Sequence, residues 1–151
     1  ILIYGVDVHQ ISKTDRNRIV QYVDRSPFIV NESVINNALL GSDAKPADLH
    51  RCLQALSLDD ELLFREQSHR VLQDASSLST GQAVMVALVR AVLMQPKLLL
   101  LDEALTSLPE SQHLPILVGL RSLGINVLLV QHGTSKAMES VPTVAMDAIQ
   151  S

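Results

Sequence analysis

Leu78-Ser79-Thr80-Gly81-Gln82 and, further on, Leu98-Leu99-Leu100-Leu101-Asp102-Glu103 are the two stretches that decide the fold. Ser79 is a good helix N-cap, and Gln82 three positions on completes an S-x-x-Q capping box. Ala83 to Met94 is apolar nearly all round, which predicts a buried helix. Leu98 to Leu101 is an unbroken apolar run after Pro96, the pattern of a fully buried parallel strand. A helix is expected from about Glu110 to Leu123, with Pro115 in its first turn or at a kink. Gly124 ends it, and Asn126 to Val130 is the next strand. Strand, helix and strand in this order make a βαβ crossover.

Working outward, Ile1 to Val8 reads as a strand with a turn near Gly5-Val6-Asp7. Ser12 to Arg18 is polar and turn- or helix-like, and Ile19 to Val23 is a second strand. Asp24 to Asn31 is a loop containing Pro27, after which Asn31 or Ser33 caps a short helix through Leu40. Gly41 to Pro46 punctuates the chain. Leu49, Leu53 and Leu56 then recur at helical spacing. Asp59 to Ser77 is expected to be helix then loop, Thr134 to Ser140 a short helix and Val141 to Met146 a last strand. No internal repeat or low-complexity segment is visible.

Composition narrows the class. Of 151 residues 47% are hydrophobic but only 3% aromatic, so the core is aliphatic, as where helices cover both faces of a parallel sheet. Net charge is −4 with scattered basic residues, which argues against a nucleic-acid partner. The single cysteine, Cys52, forms no internal disulfide, fits a reducing compartment and reads as a small helix hydrophobe. No apolar run approaches the length of a membrane span, so no direct membrane insertion is expected. Ile1-Leu2-Ile3-Tyr4 lacks the marks of a signal peptide, and the start inside a strand-like run suggests excision from a longer protein.

The strand ends carry the chemistry. Ligands of open parallel sheets bind outside the carboxyl ends of the strands. Asp102 and Glu103 follow one strand directly, and His132 follows another with only Gln131 between. One carboxylate there can hold magnesium through water. The second can polarise an attacking water, and the imidazole can contact a transferring phosphoryl oxygen. The plain reading of Asp102-Glu103 is the start of a loop. At Ser79 to Gln82, the open first turn of a helix favours an anion, Gly81 lets the backbone approach a phosphate, and the Ser79 hydroxyl can donate to it. The plain reading there is a capping box alone, stabilising by about 1 kcal/mol.

These motifs together resemble the ATP-binding cassette ATPases, the motor domains of ABC transporters. Leu78 to Gln82 is similar to the family's LSGGQ signature, with Thr80 replacing the first glycine. Leu98 to Asp102 resembles the Walker B strand, Glu103 the catalytic glutamate beside it, and His132 the switch histidine. Ile3 to Val8, and Pro27-Phe28-Ile29 with Ser33 to Asn37, are similar to the exporter branch, which includes peptide and toxin exporters. The resemblance implies an α/β, P-loop NTPase-like fold: a mostly parallel sheet flanked by helices, with a small helical subdomain. It divides residues 1–151 into N-terminal strands and loop (1–30), a helical subdomain with the signature helix (31–95) and a βαβ core from Walker B to the switch histidine (96–151). It also implies ATP and Mg as cofactors, and catalytic Glu103 and His132. Asp102 would be the Mg residue, acting through water, and Ser79, Thr80, Gly81 and Gln82 would bind nucleotide in trans. The partners implied are a second nucleotide-binding domain, head to tail, and a transmembrane domain. The implied location is cytoplasmic, at the inner face of the cell membrane.

Departures from the pattern qualify the expected activity. No G-x-x-x-x-G-K-[ST] phosphate loop occurs in the sequence, so the chain reads as an N-terminally truncated cassette lacking the Walker A portion. Arg25 stands at the family's loop-glutamine position, where it can contact phosphate but competes with magnesium. Pro109 replaces the aspartate of the family's D-loop and suits helix position N1. Ala83-Val84-Met85 lacks the usual arginine and glutamine. The expected function is an ATP-hydrolysing exporter motor whose fragment alone is inactive and self-associates. The alternative is a degenerate, non-catalytic cassette that dimerises and lends its signature motif to a partner's ATP site. An unrelated α/β small-molecule binder is a third class.

Overall fold

The computed structural model describes residues 2–3, 5–58 and 78–132. A small antiparallel hairpin opens it, β1 (Leu2–Ile3) against β2 (Val6–Asp7). Gly5 takes its turn at φ +80, a backbone state that only glycine adopts cheaply. A 3-10 turn at Val8–Gln10 leads to α1 (Lys13–Ile19). Ser12 caps α1 by accepting from Asp15 N–H at 3.1 Å and donating to its carboxylate at 2.6 Å.

Three parallel strands form the main sheet in the order β3 (Val20–Asp24), β4 (Leu98–Asp102), β5 (Asn126–Val130). Their register sets Asp24, Asp102 and Val130 side by side, so all three strands end on one edge. β3 starts one residue later than the sequence predicts because Ile19 still closes α1, and it runs on to Asp24.

Between β3 and β4 lie α2 (Val34–Leu39), capped by Ser33, then α3 (Pro46–Ala55) and α4 (Thr80–Leu93). α5 (Glu110–Ser122) makes the crossover from β4 to β5. Two expectations about α5 shift. Pro109 is its N-cap and not its first residue, and Pro115 lies past the first turn, withdrawing the N–H that would reach the Ser111 carbonyl. The elements expected at 59–77, 134–140 and 141–146 lie outside the described residues.

α4 is as buried as its composition predicts: no residue from Gly81 to Leu93 is exposed. It packs on β3, and α5 packs on β5. Val23, Leu99 and Leu101 meet Val84, Leu88, Ile116 and Leu120 in one aliphatic core, with Val127 and Leu129 against it. β4 is not buried on both faces as expected. Its residues alternate between buried and half-buried, because α4 and α5 cover the face of Leu99 and Leu101. Tyr22, Leu128 and Val130 remain exposed on the other.

A polar knot fixes the loop after β3 to α4. Half-buried Arg90 donates to the Phe28 carbonyl (2.8 Å), the Asn37 carbonyl (2.7 Å) and Asn37 Oδ1 (3.1 Å). Fully buried Asn37 accepts from Val30 N–H and donates to the carbonyls of Val30, Glu32 and Ser33. Every polar atom it buries therefore has a partner, which is the condition for burying an amide cheaply.

Candidate functional site

The site is built at the carboxyl edge of the main sheet, where side chains of three strands meet. Glu103 sits one residue beyond β4 with φ +50 and ψ 9, a left-handed conformation unusual for a residue with a Cβ. Several bonds hold it there. Its N–H donates to Val130 O at 2.8 Å, and its carbonyl accepts from Thr106 N–H at 3.1 Å and from the Thr106 hydroxyl at 2.6 Å. Such outliers cost about 1–3 kcal/mol and persist where the surroundings over-determine them.

The acidic pair and the imidazole converge on this rim. His132 Nε2 lies 3.0 Å from Glu103 Oε1, and Arg25 Nη1 lies 3.9 Å from Oε2. The Glu103 side chain is 28% exposed, whereas Arg25 and His132 are 67% and 93% exposed, so the guanidinium and the imidazole lie over the carboxylate from the solvent side. Asp102 is held differently. Tyr22, on the neighbouring strand, donates its phenol to Asp102 Oδ2 at 3.0 Å. That bond raises the Tyr22 phenol above its ordinary value, with desolvation and then the charges of Asp102 and Asp24 adding, so it stays a donor at neutral pH.

The other candidates sit at the start of α4. Ser79 Oγ accepts from Gln82 N–H at 3.2 Å, and Ser79 N–H donates to Gln82 Oε1 at 2.8 Å, the expected capping box. The first-turn N–H groups of Thr80 and Gly81 have no partner within the helix. Gly81 carries a further constraint: a Cβ there would lie 2.7 Å from the Ser107 carbonyl oxygen. Its lack of a side chain is needed for contact with the turn that follows Glu103, whatever it contributes to phosphate approach. Leu108 closes that turn, and Pro109 follows as the N-cap of α5.

Among the described residues no group of three or more His, Cys, Asp or Glu is placed to hold a metal. The Asp102 carboxylate still fits magnesium, which takes one or two carboxylates and fills its shell with water and phosphate oxygens. A cleft of about 960 Å³ opens at the opposite edge of the sheet, lined by Ile19, Arg51, Pro96, Lys97 and Gly124 among others. It contains none of the site residues. Tyr22 is the site residue that sequence reasoning missed. The available signal was its position two before Asp24, which puts it on the same sheet face as the acidic strand end.

A parallel sheet brings two carboxylates and an imidazole to one edge, the edge at which open α/β sheets bind their ligands. The family model described as ABC transporter matches residues 1–106. The chain belongs to the ABC transporter family. It is 32% identical over 97% of its length to the lactococcin-A transport/processing ATP-binding protein LcnC of Lactococcus lactis subsp. lactis. It is 26% identical over 95% of its length to the transport/processing ATP-binding protein ComA of Streptococcus pneumoniae. It spans 21% and 20% of those proteins, about a fifth of each. Its fold matches a bacterial Atm1-family ABC exporter solved with ATP bound, with a TM-score of 0.75 over 87% of this chain and 24% of that one, at 23% identity. The fold expected from the sequence, α/β and P-loop NTPase-like, is the one found. Among the described residues no helix is long and apolar enough to cross a membrane.

Proposed function

We propose that this chain is part of the ATP-hydrolysing motor of an exporter-type ABC transporter, acting with a second nucleotide-binding domain and a transmembrane domain at the inner face of the cell membrane. The observation that carries this reading is Glu103 Oε1 at 3.0 Å from His132 Nε2, beside Asp102 at the end of a parallel strand. Asp102 would hold magnesium through water. The ion, when bound, supplies charge neutralisation of phosphate oxygens. Glu103 acts as general base by taking the proton of a water, and His132 orients that carboxylate through Nε2. The Ser79 hydroxyl and the open N–H groups of Thr80 and Gly81 bind phosphate belonging to a partner's site, and Gln82 locks the geometry of that helix start.

A specific contact favours a second reading, a non-catalytic cassette that serves a partner. Arg25 lies 3.9 Å from the carboxylate that would act as base, at the position where the family pattern has an amide. A cation there opposes both magnesium and proton transfer to Glu103.

Because the sequence holds no phosphate loop, the chain by itself is expected to release phosphate from magnesium-ATP no faster than background. A coupled phosphate assay measures this. Magnesium-dependent turnover by the chain that disappears in Glu103→Gln would overturn the expected inactivity.

A further inference from the structure

We propose that Tyr22 is a positioning residue of the acidic site, holding Asp102 through its hydroxyl so that this carboxylate is set for a hydrated divalent cation. The inference rests on the assignment of Asp102 to magnesium given above. Its basis is the 3.0 Å bond from Tyr22 Oη to Asp102 Oδ2, between residues brought together only by strand pairing.

The register explains how the bond arises. Tyr22 stands opposite Leu100 and Asp24 opposite Asp102, so Tyr22 and Asp102 are diagonal neighbours on one sheet face. Diagonal neighbours are about 7–8 Å apart, within reach of an aromatic side chain. Asp24 presents a like charge directly across from Asp102, an unfavourable arrangement in a sheet. Its Oδ1 accepts from Ser26 N–H at 2.9 Å, which engages it within its own loop. The Tyr22 phenol then gives Asp102 a hydrogen bond that fixes the carboxylate without neutralising it.

The two acids of the rim are therefore treated differently. Glu103 faces the Arg25 guanidinium and the His132 imidazole. Asp102 accepts from the Tyr22 phenol, a donor that carries no charge of its own. Hydrogen-bond partners of ligating carboxylates typically contribute 10–100-fold in metal affinity. A purely packing role for Tyr22 would need the ring but not the hydroxyl, and at 55% exposure the ring is well solvated.

The test uses the 151-residue chain labelled with nitrogen-15 and Mn2+ as the probe, read as paramagnetic broadening of the Asp102 and Glu103 amide signals. Tyr22→Phe keeps the ring and is expected to raise the Mn2+ concentration for half-broadening roughly 10-fold or more, with unchanged signal dispersion and Tm. Asp102→Asn is expected to abolish the broadening. If Asp102→Asn abolishes it while Tyr22→Phe matches the parent chain, the role of Tyr22 is refuted and the metal assignment stands. If the parent shows no broadening at the rim, or Asp102→Asn leaves it intact, both fall.

Discussion

Glu103 is where stability and chemistry pull apart at the scale of a single residue. Its left-handed backbone carries strain that glycine would not, and the bonds to Val130 and Thr106 hold it in place. Glu103→Gly is therefore expected to raise stability toward urea by about 1 kcal/mol while removing the proposed base. A loss of stability in that variant would show that the conformation is not strained, or that the Arg25 and His132 contacts outweigh the strain. Arg25→Ala, by removing a cation from the rim, should lower the Mn2+ concentration for half-broadening at Glu103 a few-fold. No change would mean that the exposed guanidinium is too well solvated to compete. Asp102, Glu103 and His132 were legible in the sequence because each directly follows or nearly follows an apolar strand. For Tyr22 the spacing to Asp24 gave its sheet face but not its partner, which lies 80 residues away and is set by the strand register.

At the scale of elements, α4 ties the molecule together. Its start touches the turn after Glu103 through Gly81 and Ser107, and its last turn anchors the loop after β3 through Arg90. Gly81→Ala forces a Cβ to within 2.7 Å of a backbone oxygen and is expected to cost about 1–3 kcal/mol in urea unfolding. Arg90→Met keeps the stem but strips donors from Phe28 and Asn37, and about 2–4 kcal/mol should be lost. The capping box, the buried character of α4 and the strand after Pro96 were all readable, because each depends on residues within one or two turns of one another. The Gly81 and Arg90 contacts were not, because their partners belong to segments far away in sequence.

Cys52 of α3 gives a pH test of the same packing. Burial pushes its thiol up to about 12 from 9.0, so between these values the unfolded chain has lost a proton that the folded chain keeps. The stability this reflects is fully present below pH 9 and is lost as pH rises toward 12, by about 1.4 kcal/mol per unit. Cys52→Ala should lose stability less steeply than the parent between pH 9 and 10.5 in urea melts. Parallel curves for the two would mean that the thiol is not held neutral by the fold.

At the scale of the whole molecule, the sheet face that no described helix covers matters most. Tyr22 (55% exposed), Leu128 (55%) and Val130 (41%) lie on the side opposite the α4–α5 layer. Contiguous exposed apolar surface of this kind drives association, and light scattering at rising concentration is expected to show oligomers. A monodisperse monomer at high concentration would count against that. The parallel order of the sheet was legible from the βαβ pattern, but the one-sided covering was not, because apolar runs look alike whether one face is covered or two.

The most direct measurement joins this chain behind a phosphate-loop segment from a related exporter cassette and follows phosphate release from bound magnesium-ATP. Turnover is expected to require magnesium and to fall roughly 10²–10⁴-fold in Glu103→Gln. Turnover that survives Glu103→Gln undiminished would contradict the assignment of this strand-end carboxylate as the base.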